Sequence, residues 1–144
     1  MSLHISKKNN SKSIFDKTIY INFAKYILSC QDSEGGIHWE PDSKLDPWDH
    51  IESAMGLDVM GFEAESKKAY DWLRTNQERD GSWPSIFYST EENNLKETNF
   101  SSYIAVGMWH HFTNFNDKDF LYEFWPVLDA AIEFTLAAQT EHGD

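Results

Sequence analysis

Apolar residues recur along this chain at helical spacing, and no stretch alternates as a half-buried strand does. Ile14, Ile19, Phe23, Tyr26 and Ile27 fall near a 3.6-residue period and predict a first helix from about residue 13 to 31. A second helix begins at Pro47, a residue favoured in the first helical turn, with Asp46 as its N-cap. Ile51, Ala54, Met55, Val59 and Phe62 form its apolar stripe. A third spans about Glu63 to Gln77 and carries Ala69, Tyr70, Trp72 and Leu73. A fourth runs from near Thr98, which suits a capping role, through Tyr103, Ile104, Val106, Gly107 and Trp109 to about Asn114. The fifth extends from Asp117 to Gln139, and Pro126 is expected to kink or split it. The fold class is therefore all-α, with a tail over residues 1–13 that has little to bury.

The helices repeat. ILSCQDSEGGIHW at 27–39, LRTNQERDGSW at 73–83 and TLAAQTEHGD at 135–144 each place a glycine four residues after a glutamine. The glutamines Gln31, Gln77 and Gln139 recur at intervals that fit a unit of two helices, with loops of unequal length. Glycine past a helix end admits the left-handed backbone that stops the helix. The glutamine can bridge the helix end to the loop, and Trp39 and Trp83 can cover the first two turns. These residues read as braces between repeats.

Loop lengths alternate as well. The connections at 32–46 and 78–97 are long, whereas those near Gly61 and Asn116 are tight. In an antiparallel array the long loops gather at one end, where the second and fourth helices begin. Long loops usually serve a function, and helix N-termini favour negative charge. That end is the candidate functional face.

The strings QDSEGGIHW and QERDGSW resemble the Gln–Trp repeats of terpenoid cyclases, with related repeats in protein prenyltransferase β-subunits. DPWDHIESAMGLDVMGF, AYDWLRTNQERDGSW and ETNFSSYIAVGMWHHF are similar to bacterial prenyltransferase-like proteins. The resemblance implies an alpha-alpha toroid, with helices one, three and five outside and two and four inside. A closed toroid needs a longer chain, so residues 14–144 are expected to form a partial one that stops in its third turn. The DxDD acid motif of the cyclases and the zinc set of the prenyltransferases are both absent. FLYEFWPVLDAAIEFTLAAQTEHGD also resembles toroidal glycosidases such as glucoamylases.

Composition narrows the partners. Acids outnumber bases 24 to 12, a formal charge of −12 that disfavours nucleic acid and anionic membrane surfaces. No apolar run is long enough to span a bilayer. One cysteine, Cys30, permits neither an internal disulfide nor a thiolate zinc cage. The opening residues do not form a signal peptide, and a cytoplasmic location is expected. A partial toroid would leave inner-helix surface uncovered, which predicts self-association.

Candidate chemistry gathers at the long-loop end. Asp46 and His50 are spaced i, i+4, so a carboxylate could orient an imidazole for acid/base work, with Asp49 beside them. Glu52 continues a polar face on the same helix. Glu97, Asn99 and Tyr103 occupy the corresponding start of the fourth helix. His38, Trp39, Trp48, Trp83 and Tyr88 could wall a pocket, whose aromatic faces would stabilise cationic character in an isoprenoid or stack on sugar rings. His110 and His111 are adjacent and near the tight-turn end, which argues for a structural role. No HExxH, paired CxxC, phosphate loop or nucleophile elbow is present, and no motif specifies a metal or cofactor. Three functions compete: a prenyltransferase or terpenoid cyclase-like enzyme, a carbohydrate-active hydrolase, and a non-catalytic ligand-binding module. The ligand in each is a small molecule, isoprenoid or carbohydrate.

Overall fold

The computed structural model describes residues 17–88 and 95–143. The tail expected over 1–13 lies outside the described residues. Five helices follow one another: α1 Lys17–Cys30, α2 Pro47–Val59, α3 Glu63–Asn76, α4 Thr98–Phe115 and α5 Lys118–Ala137. Among the described residues only isolated bridges break the all-α pattern, Gln31 with Ile37 and Leu45 with Phe87. No helix there is long and apolar enough to cross a membrane.

Helices α2 and α4 form the central pair. α2 also packs on α1 and α3, and α4 on α5. The α2–α4 approach is close because Gly107 has no side chain. A Cβ there would stand 2.6 Å from the Ile51 Cγ2 and 3.1 Å from the Tyr70 ring. Ile51, Leu57, Tyr70, Ile104, Met108 and Phe124 fill the space between the helices.

Three local expectations need correcting. The α2 stripe turns at its end: Asp58 is buried and Val59 is 66% exposed. Asp58 faces inward because α4 supplies partners, its Oδ1 lying 2.8 Å from the His111 Nδ1 and its Oδ2 3.3 Å from the His110 Nδ1. Of the kink or split expected at Pro126, the split does not occur, and α5 is one helix from Lys118 to Ala137. The proline leaves the Tyr122 carbonyl without its helical donor, but Tyr122 and Trp125 are exposed, so water can reach that side. Thr98 is the first helical residue of α4 and not its cap, and the N-cap Glu97 makes no side-chain capping bond.

The glutamine–glycine turns do act as braces. The Gln31 amide donates to the carbonyls of Gly35 (3.2 Å) and Glu65 (3.0 Å). Gln77 donates to those of Gly81 (3.0 Å) and Val127 (2.9 Å). The turn after α1 is thus pinned to α3, and the turn after α3 to α5. The turns also press against those helices. A Cβ on Gly35 would come within 2.3 Å of the Lys68 carbonyl oxygen, and one on Gly81 within 2.0 Å of that of Ala130. The interval from Glu65 to Val127 equals that from Gln77 to Gln139, so the pinned carbonyls follow the same repeat as the glutamines.

Trp39 and Trp83 are not equivalent, contrary to the reading of the strings. Six residues after the glutamine stand Ile37 and Trp83, both buried. Trp39 lies two residues further on and is 46% exposed. It is free to serve another purpose.

Candidate active site

The two long loops meet above the N-termini of α2 and α4. Leu45 and Phe87 join them through a pair of backbone bonds, Phe87 N–H to Leu45 O (2.7 Å) and Leu45 N–H to Phe87 O (3.2 Å). Leu45 is fully buried, which fixes the residue next to it, Asp46, at the mouth of α2.

Asp46 caps α2. Its Oδ1 accepts the Asp49 backbone N–H at 2.9 Å, and its Oδ2 accepts the Trp39 indole N–H at 2.5 Å. The indole is held from the other side by Lys44, whose ammonium lies 3.8 Å from the ring centre. Asp49, in the first turn of the helix, stays open to solvent on one side. Desolvation on its other side, the nearby Asp46 carboxylate and Glu52 together hold its carboxyl above the usual range. A helix N-terminus normally favours an ionised carboxylate. Here partial desolvation and the neighbouring acids outweigh that preference, so Asp49 retains a proton to higher pH than an isolated aspartate.

Two hollows flank this pair and share Trp39 and Asp49. The first, of about 520 Å³, is bounded by Tyr26, Ile37, His38, Glu52 and Ser53. The second, of about 480 Å³, is bounded by Asp46, Trp48, Ile86, Leu95, Glu97 and Phe100, with Asn99 at its edge. The Trp48 and Tyr103 rings stack, 3.9 Å apart and 7° from parallel. Both donate to the Glu52 Oε1, the indole at 3.0 Å and the phenol at 3.2 Å. One carboxylate thus holds an aromatic platform that bridges α2 and α4.

Other expected site residues are placed elsewhere. His50 is fully buried and does not pair with Asp46. Its Nδ1 accepts the Ile37 N–H (3.0 Å) and its Nε2 donates to the Ala69 carbonyl (2.9 Å). Burial, against the pull of those bonds and of Asp32 and Asp46, lowers its pKa to about 4. It is a neutral strut between the first loop and α3. Trp83 is buried too, donates to the Leu73 carbonyl at 2.9 Å, and lines neither hollow. His38 borders the first hollow, but its ring nitrogens are engaged by the Ser43 carbonyl (2.5 Å) and Asp32 (3.0 Å), and Tyr88 stacks on it. Partial burial opposes ionisation of Asp32. Hydrogen bonds from His38 and from the N–H groups of Glu34, Gly36 and Gly35 prevail and lower its pKa. His110 and His111 converge on Asp58, remote from this face, and His111 is fully buried. The described residues bring no three potential metal ligands together.

Sequence reasoning missed Ile86, Leu95 and Phe100, the apolar wall of the second hollow. Ile86 and Leu95 reach it on the second long loop, next to the Leu45–Phe87 pairing, and Phe100 from the first turn of α4, an arrangement that leaves no local sequence signal.

No protein-family model matches the chain. A curated relative does. The chain is similar to a mannosidase. It is 38% identical over 122 residues to the MMP endo-(1,4)-3-O-methyl-alpha-D-mannosidase of Mycolicibacterium hassiacum. The match covers 84% of this chain and 34% of the relative, so the chain spans about a third of that protein's length. This finding corrects the expectation of a prenyltransferase or other transferase, because the relative's name is that of a glycosidase.

Proposed function

We propose that the chain supplies part of a glycoside hydrolase site acting on an α-mannoside, with Asp49 as the proton donor. The place of Asp49 in the first turn of α2, where it lines both hollows and its carboxyl is held above the usual range, is the observation that carries this reading. Glycosidases need a carboxylic acid that stays protonated near its working pH, and a second carboxyl that activates water or attacks the sugar. Asp49 suits the first role, since it can pass its proton to the departing glycosidic oxygen. Asp46 is anchored by two hydrogen bonds and raises the proton affinity of Asp49. Glu97 shares the second hollow and is the choice for the second carboxyl. His50 is left out of the chemistry, because both ring nitrogens are engaged.

Trp39 and the Trp48–Tyr103 pair suit the apolar faces of a pyranose. The relative's name refers to a 3-O-methylated mannoside. A methyl ether donates no hydrogen bond and needs an apolar lining, which Ile86, Leu95 and Phe100 provide in the second hollow. These residues support a substrate of the same methylated class.

We also propose that the helices belong to an alpha-alpha toroid. The central α2–α4 pair and the turns after α1 and α3, pinned to α3 and α5, support it.

The test is hydrolysis and binding of a 3-O-methylated α-1,4-mannoside oligomer. Asp49→Asn should reduce turnover by at least about a hundredfold, the usual range for loss of a general acid, while binding persists. Retention of full turnover by Asp49→Asn, or failure of the wild type to bind any mannoside, would remove the proposal.

A further inference from the structure

The two ends of the helical row both expose apolar side chains. At one end, α1 turns Ile19, Phe23 and Tyr26 outward, at 52%, 62% and 55% exposure. Their i, i+4, i+7 spacing forms a single stripe, the pattern by which a helix enters a groove. Of the apolar residues that mark this helix in the sequence, Ile27 packs on the core with Ala24 and Leu28, whereas Ile19, Phe23 and Tyr26 do not. At the other end, α4 and α5 enclose an apolar groove of about 460 Å³, walled by Trp109, Trp125, Leu128 and Ile132. Trp109 and Trp125 are 64% and 57% exposed.

The repeat shows what such a groove accommodates. Stepping back from α5 by the interval between Gln77 and Gln139 sets Ile132 on Tyr70 and Leu128 on Ser66. Tyr70 and Ser66 belong to the equivalent groove between α2 and α3, which is filled by α4. There Tyr70 donates to the Gly107 carbonyl at 3.0 Å, and Ser66 lies 3.4 Å from His111. The α4–α5 groove is therefore shaped for another helical edge. The third turn is incomplete in the same way. Gln139 donates to the Gly143 carbonyl at 3.0 Å, but among the described residues it has no outer-helix carbonyl such as Gln31 and Gln77 reach.

We propose that the groove receives the α1 edge of a second copy of this chain, head to tail. Charge favours that occupant. α1 presents Lys25 and contains no acidic residue, whereas α5 has one lysine against Asp119, Glu123, Asp129 and Glu133. Asp129 lines the groove itself. The contact is heterologous, joining different surfaces on the two copies. Because Tyr26 also bounds the first hollow of the site, the neighbouring copy borders that hollow.

Sedimentation of the whole chain across a concentration series tests this. The wild type should exceed the mass of a single chain as concentration rises. Phe23→Glu and Trp125→Glu should each be monomeric. An equimolar mixture should form a one-to-one dimer and stop there, because one intact groove and one intact α1 edge remain. Far-UV circular dichroism checks helicity, and Trp109→Lys replaces Trp125→Glu if the latter loses it. A wild type that stays monomeric would overturn the proposal. Self-association that survives both variants, or a mixture that fails to pair, would overturn it as well.

Discussion

Gly81 offers a direct measure of how tightly one hairpin is held to the next. Its φ is +89°, and Gly61, in the tight turn between α2 and α3, has φ +80°. Alanine at either position meets the same backbone penalty, about 1–2 kcal/mol. The surroundings differ. A Cβ on Gly61 would meet nothing within 4 Å, whereas one on Gly81 would lie 2.0 Å from the Ala130 carbonyl oxygen. Real Cβ contacts essentially never fall under 3.0 Å, so α5 must retreat by about 1 Å at least. That retreat stretches the 2.9 Å bond from Gln77 to Val127, worth about 1 kcal/mol, and loosens the packing of Val127 and Ala131. Gly61→Ala should then cost about 1–2 kcal/mol and Gly81→Ala about 3–4 kcal/mol. Urea denaturation at fixed protein concentration resolves this difference, provided the slopes agree. Thermal melts should separate the variants by about 5 °C. Equal costs at the two sites would refute the turn-to-helix contact as a source of stability.

Three further outcomes follow from the same structure. Gln31→Ala and Gln77→Ala should each cost about 2 kcal/mol, and Gln139→Ala, with one exposed bond, about 0.5 kcal/mol, by urea denaturation. His50 has its pKa lowered to about 4 from 6.5, so the unfolded chain binds its proton first as pH falls. Stability should therefore drop between about pH 6.5 and 4, by on the order of 3 kcal/mol from this residue, and His50→Gln should flatten that slope in pH-dependent urea titrations. Trp48→Ala should weaken mannoside binding about tenfold by calorimetry, because it removes a stacking face. Tyr103→Phe keeps the ring and loses only the bond to Glu52, so about threefold is expected.

The local features of the fold were readable in the sequence. The Asp46–Pro47 start of α2 is seen in the capping bond to the Asp49 N–H, and the spacing of Gln77 and Gly81 is seen in the turn they close. These depend on residues a few positions apart. What the sequence hid depends on distant partners. Asp58 faces inward because two histidines on α4 meet it. Trp39 escapes its turn because Ile37 takes the buried place. α1 exposes its apolar stripe because little of the described chain covers it. Residue type and the long-loop end pointed to Asp46, Asp49, Trp39 and Trp48, which line the second hollow together. The i, i+4 pairing of Asp46 with His50 failed because the imidazole had stronger claims from Ile37 and Ala69.

The pinning of the turns after α1 and α3 separates anchorage from ornament. Two amide bonds and a glycine set where a hairpin sits, and they lie upstream of most of the loop that follows. Inserted residues there are absorbed at small entropic cost without shifting the frame. The unequal spacing of Gln31, Gln77 and Gln139 displays such drift. A scaffold of this kind can acquire new specificities by remodelling its connectors, while the hairpins beneath keep their register.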